Sequence, residues 1–327
     1  MKAITITQYG GPEVLQLTDS PDLQASDGQL LIDVGASGIN FADLMARAGT
    51  YPAAPKPPMT PGMEVAGTVA AVGAKVQGFA VGDRVMSMLA AGGGGYAAQA
   101  VTDAHMAVKL PDTLDFAPAT ALLVQGLTAY FLLKEAPLAP GESVLVNAAA
   151  GGVGSLAVQI AKLMGAGTVV GTASTADKRQ MVESLGADAA VDYTQKGWSD
   201  EVLRATNGRK IDVFLDATGE LDGEGSQTLG ESGRWMIYGS QSGNVAPLSV
   251  ERVMSMIGTC QTLRGYNLYS SAKDPARLGA ALQELIGWAT SGKLVIESGD
   301  RFPLAQAKEA HEAIAARKTT GKVVLEP

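Results

Sequence analysis

A turn built almost entirely of alanine and glycine is the part of this sequence whose spacing most clearly points to chemistry. Residues Ala149–Gly154 form it, directly after the short apolar run Ser143–Ala148, which is suited to a buried parallel strand. A largely apolar helix and a second apolar strand come next. In such a strand–helix–strand unit, small residues let backbone N–H groups approach a pyrophosphate at the positive end of the helix. The sequence therefore predicts a dinucleotide site at the turn. Its predicted residues are Ala150, Gly151, Gly152, Val153 and Gly154.

The spacing of the turn departs from the usual G-x-G-x-x-G pattern. Ala148 stands about where the first glycine would be, and Gly151 and Gly154 follow in steps of three. A glycine turn that only packs a helix, without a ligand, is the alternative.

The residues after the second strand bear on which dinucleotide is bound. Enzymes that use NAD usually carry a carboxylate about 20 residues past the glycine turn, where it binds the ribose hydroxyls. Here the strand end has none, because the first acid, Asp177, falls inside the next predicted helix. Ser174, Lys178 and Arg179 could instead gather around a 2′-phosphate through charge-assisted hydrogen bonds. We therefore expect NADPH, with solvated helix positions as the alternative role for Lys178 and Arg179.

Side chains in the N-terminal part are candidates for proton transfer and for local structure. Tyr51 lies in the proline-rich loop Tyr51–Pro61, where a phenol could donate a proton to a reduced oxygen, although the usual pKa of tyrosine is high for that task. Asp43 is expected to cap a short helix rather than to act in catalysis. Glu64 is interpreted as a structural carboxylate.

Residues that could bind a metal are few. The chain has one cysteine, Cys260, and two histidines, His105 and His311, whereas a structural zinc site takes four ligands and a catalytic site commonly takes three. We therefore expect no bound metal. A single cysteine cannot form an internal disulfide, so we also expect a reducing, cytoplasmic location.

The elements that would position these residues form two kinds of region. Residues 1 to about 118 contain short strands separated by glycine and proline, which suggests a small barrel. A long apolar helix then leads into alternating strands and helices, which implies a doubly wound parallel sheet. The apolar run Ala117–Leu133 is interrupted by polar residues, so a buried helix explains it better than a membrane span.

Length and composition agree with this division. At 327 residues, with 46% hydrophobic and 18% charged residues, the chain can form about two domains with a large core. Its net charge of −8 argues against nucleic acid as the main partner, because nucleic-acid backbones are bound by basic surfaces.

Five motifs, taken in order along the chain, resemble the medium-chain dehydrogenase/reductase superfamily. They are Gly38–Asp43, Pro61–Gly67, Gly82–Val85, Ala148–Gly154 and Gly321–Leu325. Within the superfamily the chain resembles the zinc-free quinone oxidoreductase branch, also called zeta-crystallin-like. Residues 37–67 look most like the quinone reductases related to the synaptic vesicle membrane protein. The zinc alcohol dehydrogenases have a Cys where Asn40 stands and a His where Met63 stands, so neither ligand is present here.

The resemblance implies an α/β protein with a GroES-like β-barrel domain and a doubly wound Rossmann domain. The first domain would cover residues 1–120, completed by residues 265–327, and the NADPH-binding Rossmann domain would cover residues 121–264. The implied activity is the NADPH-dependent reduction of quinones, in a homodimer. Two alternatives remain: a reductase of the double bond of 2-alkenals or enones, and a non-catalytic NADPH-binding protein with a structural or sensing role like that of zeta-crystallin in the lens.

The resemblance also assigns roles to individual side chains. Residues matching Ser174 and Lys178 contact the 2′-phosphate, and a tyrosine matching Tyr193 packs near the adenosine. Asn40 would bond the nicotinamide ribose or a substrate oxygen, with turn stabilisation as the alternative. Tyr130 would lie beside the nicotinamide, with helix core as the alternative. Further residues expected at the cofactor are Tyr238, Gly239, Ser240, Gln241, Arg317 and Lys322; either of the last two could equally be a cation at a helix end.

Overall fold

The computed structural model describes residues 1–52, 54–89, 93–241 and 247–327, and the chain divides into two compact units. The first unit comprises Met1–Gln125 and Asp274–Pro327, and the second comprises Gly126–Lys273. The predicted loop Tyr51–Pro61 includes Ala53, which lies outside the described residues.

The strands of the described residues are β1 (Lys2–Thr5), β2 (Gln16–Asp19), β3 (Gln29–Gly38), β4 (Glu64–Val72), β5 (Arg84–Met88), β6 (Gln99–Asp103), β7 (Ala107–Lys109), β8 (Ser143–Val146), β9 (Thr168–Thr172), β10 (Ala189–Val191), β11 (Ile211–Asp216), β12 (Leu229–Ile237), β13 (Thr262–Gly265), β14 (Ser298–Pro303) and β15 (Lys322–Glu326).

The helices of the described residues are α1 (Phe41–Ala48), α2 (Phe116–Ala121), α3 (Leu127–Glu135), α4 (Gly152–Leu163), α5 (Ala176–Ser184), α6 (Trp198–Ala205), α7 (Glu224–Thr228), α8 (Val250–Gly258), α9 (Leu268–Ser271), α10 (Pro275–Thr290) and α11 (Ala307–Ala315). A π-helical turn, Leu122–Gly126, connects α2 to α3, and short 3-10 turns cover Pro12–Val14, Ala104–Met106 and Leu304–Gln306.

In the first unit, both ends of the chain contribute to one sheet. Its strand order is β14-β15-β3-β4-β5-β7, and β6 also pairs with β3. The C-terminal strand β15 runs antiparallel to β3, with Val324 opposite Gly38 and Leu325 opposite Ser37. Buried apolar side chains from both ends, such as Ile4 and Leu325, lie in one core cluster. The C-terminal strand is therefore part of the N-terminal sheet.

The second unit contains a parallel sheet of the order β10-β9-β8-β11-β12-β13. The chain adds β9 and β10 on one side of β8 and then returns to add β11 on its other side. In such sheets, ligands bind at the carboxyl ends of the strands where the order reverses. That point lies after Val146 and Asp216. The predicted doubly wound sheet is confirmed.

The apolar run near residue 120 lies in a continuous helix, Phe116–Glu135. By length and composition this helix could cross a membrane, but 83% of its most apolar stretch is buried in the protein. Burial explains why the helix is apolar, as expected for a core helix.

Candidate functional site

The glycine turn connects β8 to α4. The helix begins at Gly152 with Gly151 as its N-cap, and no side chain among the described residues caps it. A Cβ atom on Gly154 would lie 2.4 Å from the carbonyl oxygen of Ala148 and 2.6 Å from the Cα of Ala149, so the close approach requires glycine. The first N–H groups of a helix have no partner within the helix and can bind an anion. The turn, which contains all five predicted residues, therefore fits a pyrophosphate.

A buried polar network lies beside the turn, and sequence reasoning missed it. Asn147 follows β8, Thr172 ends β9 and Asp216 ends β11, so all three lie at the carboxyl ends of adjacent strands. Asn147 Oδ1 accepts hydrogen bonds from Thr172 Oγ1 at 2.7 Å and from the N–H of Ala148 at 2.9 Å. Its Nδ2 donates to Asp216 Oδ1 at 3.4 Å and to Thr218 Oγ1 at 3.2 Å. The sequence signal for this network is the polar residue at the end of each apolar strand.

The predicted 2′-phosphate residues lie around the start of α5, but they have different surroundings. Ser174 is half-buried just before the helix, and Thr175 Oγ1 caps the helix by accepting the N–H of Lys178 at 3.3 Å. Burial lowers the pKa of the half-buried Lys178 ammonium. Arg179 Nη1 pairs with Asp192 Oδ2 at 2.9 Å, next to the half-buried Tyr193. The Arg179 guanidinium is therefore already engaged with a carboxylate.

The segment after β12 lies at the same carboxyl edge of the sheet. The N–H of Tyr238 donates to the carbonyl of Asp216 at 3.0 Å, and the N–H of Gln241 donates to the carbonyl of Ala217 at 3.1 Å. A Cβ on Gly239 would lie 2.5 Å from the same Ala217 oxygen, which again requires glycine. Ser240 is half-buried in this segment. Burial and the charge of Asp216 raise the pKa of the Tyr238 phenol, so it is a poor proton donor near neutral pH.

Tyr130 lies in α3 and is buried. Its ring meets the ring of Phe131 edge-on, with centroids 5.4 Å apart, and Lys134 Nζ lies 5.3 Å from its centroid. These contacts are typical of a helix core residue, which was the alternative to a place beside the nicotinamide.

In the first unit, Asn40, Glu64 and Lys322 form a buried cluster. Lys322 pairs with Glu64 Oε1, and Asn40 Nδ2 donates to the same oxygen at 2.8 Å. The Lys322 ammonium also donates to Asn40 Oδ1 at 3.2 Å and to the carbonyl of Ile39 at 3.3 Å. These three bonds use all three donors of an ammonium group. They do not support the predicted role of Lys322 as a cofactor ligand.

Asn40 also begins α1 as its N-cap residue. Asp43 Oδ2 accepts the backbone N–H of Asn40 at 2.8 Å, so Asp43 caps the helix as its sequence position suggests. Burial, reinforced by the charge of Glu64, raises the pKa of the Asp43 carboxyl to about 7. A side-chain amide nitrogen carries two hydrogens, and the bond to Glu64 uses one. Asn40 can therefore still donate one hydrogen bond to a ligand.

Tyr51 and Arg317 occupy more open positions. Tyr51 is half-buried just after α1, where its N–H donates to the carbonyl of Met45 at 3.3 Å. Arg317 is exposed at the end of α11, with a φ of 55°. This position agrees with the alternative to a cofactor ligand, a cation at the C-terminal end of a helix.

The candidate metal ligands lie on different elements of the chain. Cys260 is exposed, and His105 lies in a short 3-10 turn. His311 is buried, with Nδ1 3.3 Å from Arg47 Nη1 and Nε2 3.0 Å from the Tyr96 hydroxyl. Within residues 1–52, 54–89, 93–241 and 247–327, no group of three or more His, Cys, Asp or Glu side chains is arranged to hold a metal ion.

Comparison with known proteins gives matches in both regions. Residues 26–112 match the family model described as the alcohol dehydrogenase GroES-like domain, and residues 152–285 match the one described as zinc-binding dehydrogenase. The first is a GroES-like domain and the second is Rossmann-type, so the predicted fold class is confirmed.

The similarity to known proteins extends over the whole chain. A quinone oxidoreductase of Pseudomonas aeruginosa is 38% identical over 100% of this chain and 99% of its own length. Among solved structures, a mycobacterial protein complexed with NADPH is 36% identical, with a TM-score of 0.91 and complete coverage of both chains. An Escherichia coli quinone oxidoreductase complexed with NADPH is 31% identical, also with a TM-score of 0.91 and complete coverage of both chains.

Proposed function

This chain belongs to the medium-chain dehydrogenase/reductase family, and from that premise we propose that it is an NADPH-dependent oxidoreductase that reduces quinones by hydride transfer. The observation that carries the proposal is the glycine turn at the reversal point of the parallel sheet, which begins α4 with no capping side chain among the described residues. The chain around it matches quinone oxidoreductases from end to end.

We assign residues of the second unit to successive parts of NADPH. The N–H groups at Ala150–Gly154 would bind the pyrophosphate. Ser174 and Lys178 would bind the 2′-phosphate, with Tyr193 against the adenosine. Tyr238, Gly239, Ser240 and Gln241 would line the nicotinamide end, at the carboxyl edge of the sheet. When bound, NADPH supplies the hydride; the protein orients the reactants and excludes water.

The observed contacts change the roles that we propose for Arg179 and Lys322, two of the predicted cofactor ligands. Arg179 neutralises Asp192, so we assign it an indirect role and place Lys178 first at the phosphate. The donors of Lys322 are used within its own cluster, and we propose a structural role for it. Arg317 stays a candidate ligand only by resemblance.

At the reacting end we keep Asn40 as the main candidate. Its amide is oriented by Glu64 and Lys322 and can still donate one hydrogen bond to a substrate or cofactor oxygen. Tyr51 stays a candidate proton donor. Tyr130 stays a candidate contact of the nicotinamide, although packing in the helix core equally explains its position.

We also propose that the protein works without zinc, as in the zinc-free branch, although one matching family model carries zinc in its description. Asn40, where zinc enzymes have a cysteine, accepts a hydrogen bond from the Lys322 ammonium and donates one to Glu64, and an amide is not among the usual zinc ligands. The likeness of residues 37–67 to the synaptic-vesicle-protein subgroup stays a proposal. So does a cytoplasmic location, which the single cysteine supports.

A homodimer is proposed from the surface of the second unit. Val250, Met254 and Ile257 on α8 are 74%, 60% and 66% exposed, and β13 lies at the edge of the sheet. Exposed apolar patches and open sheet edges are surfaces that partners cover, and most soluble oligomers are symmetric assemblies of one chain. A solution mass by light scattering tests this; a monomer would contradict it.

The experiment that tests the function is an acceptor panel. Purified protein is mixed with NADPH and, separately, with quinones, 2-alkenals or enones, and oxidation of NADPH is followed by absorbance. We expect the highest kcat/KM with a quinone. A higher value with 2-alkenals or enones would identify a double-bond reductase. Tight NADPH binding without turnover of any acceptor would identify a non-catalytic binding protein.

A further inference from the structure

Ala148 adopts a backbone conformation that alanine rarely takes. Its φ is 53°, in the left-handed region that favours glycine. It stands about where a dinucleotide turn usually has its first glycine. Because a methyl group disfavours this conformation, surrounding contacts must hold the residue in place.

The contacts that hold it lie on both sides of the residue. After it, the N–H of Ala149 donates to the carbonyl of Thr172 at 2.9 Å, which fixes the following peptide plane. Before it, the contacts are made to its own N–H. Asn147 Oδ1 accepts this N–H at 2.9 Å, and Thr172 Oγ1 lies 3.3 Å from the same nitrogen. The orientation of the Asn147 amide is unambiguous, because the N–H can only donate and the Asp216 carboxylate, next to Nδ2, can only accept. Asn147, Thr172 and Asp216 are 6%, 0% and 1% exposed, so water competes little for these bonds.

The carbonyl of Ala148 in turn sets the position of the glycines. It accepts the N–H of Gly151 at 3.0 Å, and it lies 2.4 Å from the place where a Cβ on Gly154 would be. Rotating Ala148 out of the left-handed region would break the bond to Gly151, which is the N-cap of α4. The N–H groups that begin the helix would then move.

We propose that Asn147, held by Asp216 and Thr172, is a positioning residue that keeps Ala148 left-handed and so sets the turn that receives a dinucleotide pyrophosphate. The proposal rests on the proposed binding of NADPH. Asn147 acts through Ala148 and is not placed in contact with the cofactor.

The test is a cycle of Asn147→Ala and Ala148→Gly, with the Kd of NADPH as the readout. We expect Asn147→Ala to weaken binding about tenfold, since backbone strain of this kind is comparable to that factor. Ala148→Gly alone is the reference for the double variant, which should bind NADPH nearly as tightly as this reference, because glycine adopts a positive φ without support. A wild-type Kd in Asn147→Ala, or a double variant as weak as Asn147→Ala, would overturn the proposal.

A matched control separates positioning from general loss of stability. Ser143 Oγ donates a partly buried hydrogen bond of 2.8 Å to Asp212 Oδ2 between the same strands, β8 and β11, at their opposite ends. Ser143→Ala should lower the melting temperature and leave the Kd of NADPH unchanged; an equal weakening of binding would count against the proposal. If Asn147→Ala does not fold, Thr172→Val is the substitute, because it removes the second acceptor of the Ala148 N–H with little change of shape. Adding Ala148→Gly should then restore the affinity for NADPH that Thr172→Val loses.

Hydrogen exchange of the cofactor-free protein gives a readout that does not depend on binding. Asn147→Ala should speed exchange in residues 148–154, whereas Ser143→Ala should not. Unchanged exchange there would overturn the positioning role. If the wild type binds neither NADPH nor NADH, the proposed function is wrong, and the exchange result still decides whether Asn147 holds the turn.

Discussion

Lys322 and Glu64 form an ion pair whose side chains are only 2% and 0% exposed. The two residues are 258 positions apart, and each begins a strand, β15 and β4. Removing charges from water is costly unless their other hydrogen-bonding groups are satisfied. Here Asn40 and the N–H of Val124 each donate to the carboxylate at 2.8 Å. The pair therefore fixes the C-terminal strand, α1 and the π-helical turn to one point.

Breaking this pair on one side should be far more damaging than replacing both partners. Lys322→Met leaves the Glu64 carboxylate buried without its counter-ion, so we expect the free energy of unfolding to fall by about 3–5 kcal/mol. The double variant Lys322→Met/Glu64→Gln should recover a large part of that loss. Urea unfolding of the three proteins checks this. Equal losses in the single and double variants would show that the two charges are not coupled.

The buried side chains of Asp43 and His311 should make the free energy of unfolding depend on pH in opposite directions. Burial raises the pKa of Asp43 to about 7, and burial with the charge of Arg47 lowers the pKa of His311 to about 3. Folded Asp43 keeps a proton that the unfolded chain releases above about pH 4, so its contribution to stability falls as the pH rises from about 4 to 7. Folded His311 stays neutral where the unfolded chain is protonated, so its contribution rises from about pH 3 to 6.5.

Asp43→Asn and His311→Gln should separate these contributions. The free energy of unfolding of Asp43→Asn minus that of the wild type should increase with pH between about 4 and 7, by up to about 1.4 kcal/mol per unit. For His311→Gln the same difference should decrease between about pH 3 and 6.5. Urea unfolding at several pH values measures both. Differences that do not vary with pH would mean that neither group titrates as described.

The Asn147 network shows what could and could not be predicted from the sequence. The glycine turn and its flanking strands were predictable, because their signals lie within about 30 consecutive residues. The bond from Asn147 to Asp216 joins residues 69 positions apart, and a single sequence carries no signal for such pairing. The pairing of Lys322 with Glu64 could not be predicted for the same reason, since the two residues are 258 positions apart. Strand β13 was missed because Thr262–Gly265 has no apolar run and is largely exposed.

A strong chelator should leave activity and melting temperature unchanged. The physical reason is that the described residues offer no group of three or more suitable ligands, and Asn40 is bonded to Lys322 rather than open to a cation. The measurement compares untagged protein before and after chelation, with metal analysis of the purified sample. Stoichiometric zinc whose removal abolishes activity would contradict the zinc-free proposal.

Asn40→Ala should lower kcat more than it weakens NADPH binding. Its remaining amide hydrogen is the candidate donor at the reacting end, whereas the proposed pyrophosphate turn lies in the other unit. Some stability will also be lost, because the amide bonds Glu64 and Lys322. Ser37→Ala is the matched control, since it removes a buried bond of 3.2 Å to the carbonyl of the same Glu64. Both variants should be less stable, and only Asn40→Ala should lose turnover; wild-type kcat in Asn40→Ala would leave it as a turn residue.

The choice between NADPH and NADH should depend on Lys178. A 2′-phosphate carries nearly two negative charges, and a partly exposed charged contact contributes about 1–2 kcal/mol after screening by solvent. Lys178→Ala should therefore weaken NADPH about 5- to 30-fold and leave NADH nearly unchanged. Equal Kd values for the two cofactors in the wild type, or equal weakening of both in Lys178→Ala, would refute a 2′-phosphate site.

Arg179 should act differently, through the charge of Asp192. Arg179 Nη1 lies 2.9 Å from Asp192 Oδ2, and removing the guanidinium leaves a carboxylate without its counter-ion beside the proposed phosphate site. We therefore expect Arg179→Ala to weaken NADPH, because like charges repel. Adding Asp192→Asn should restore most of the affinity, since the repelling charge is then gone. The Kd of both cofactors is measured for the two single variants and the double variant. If the double variant binds NADPH as weakly as Arg179→Ala, then Arg179 contacts the phosphate itself and its bond to Asp192 only orients it.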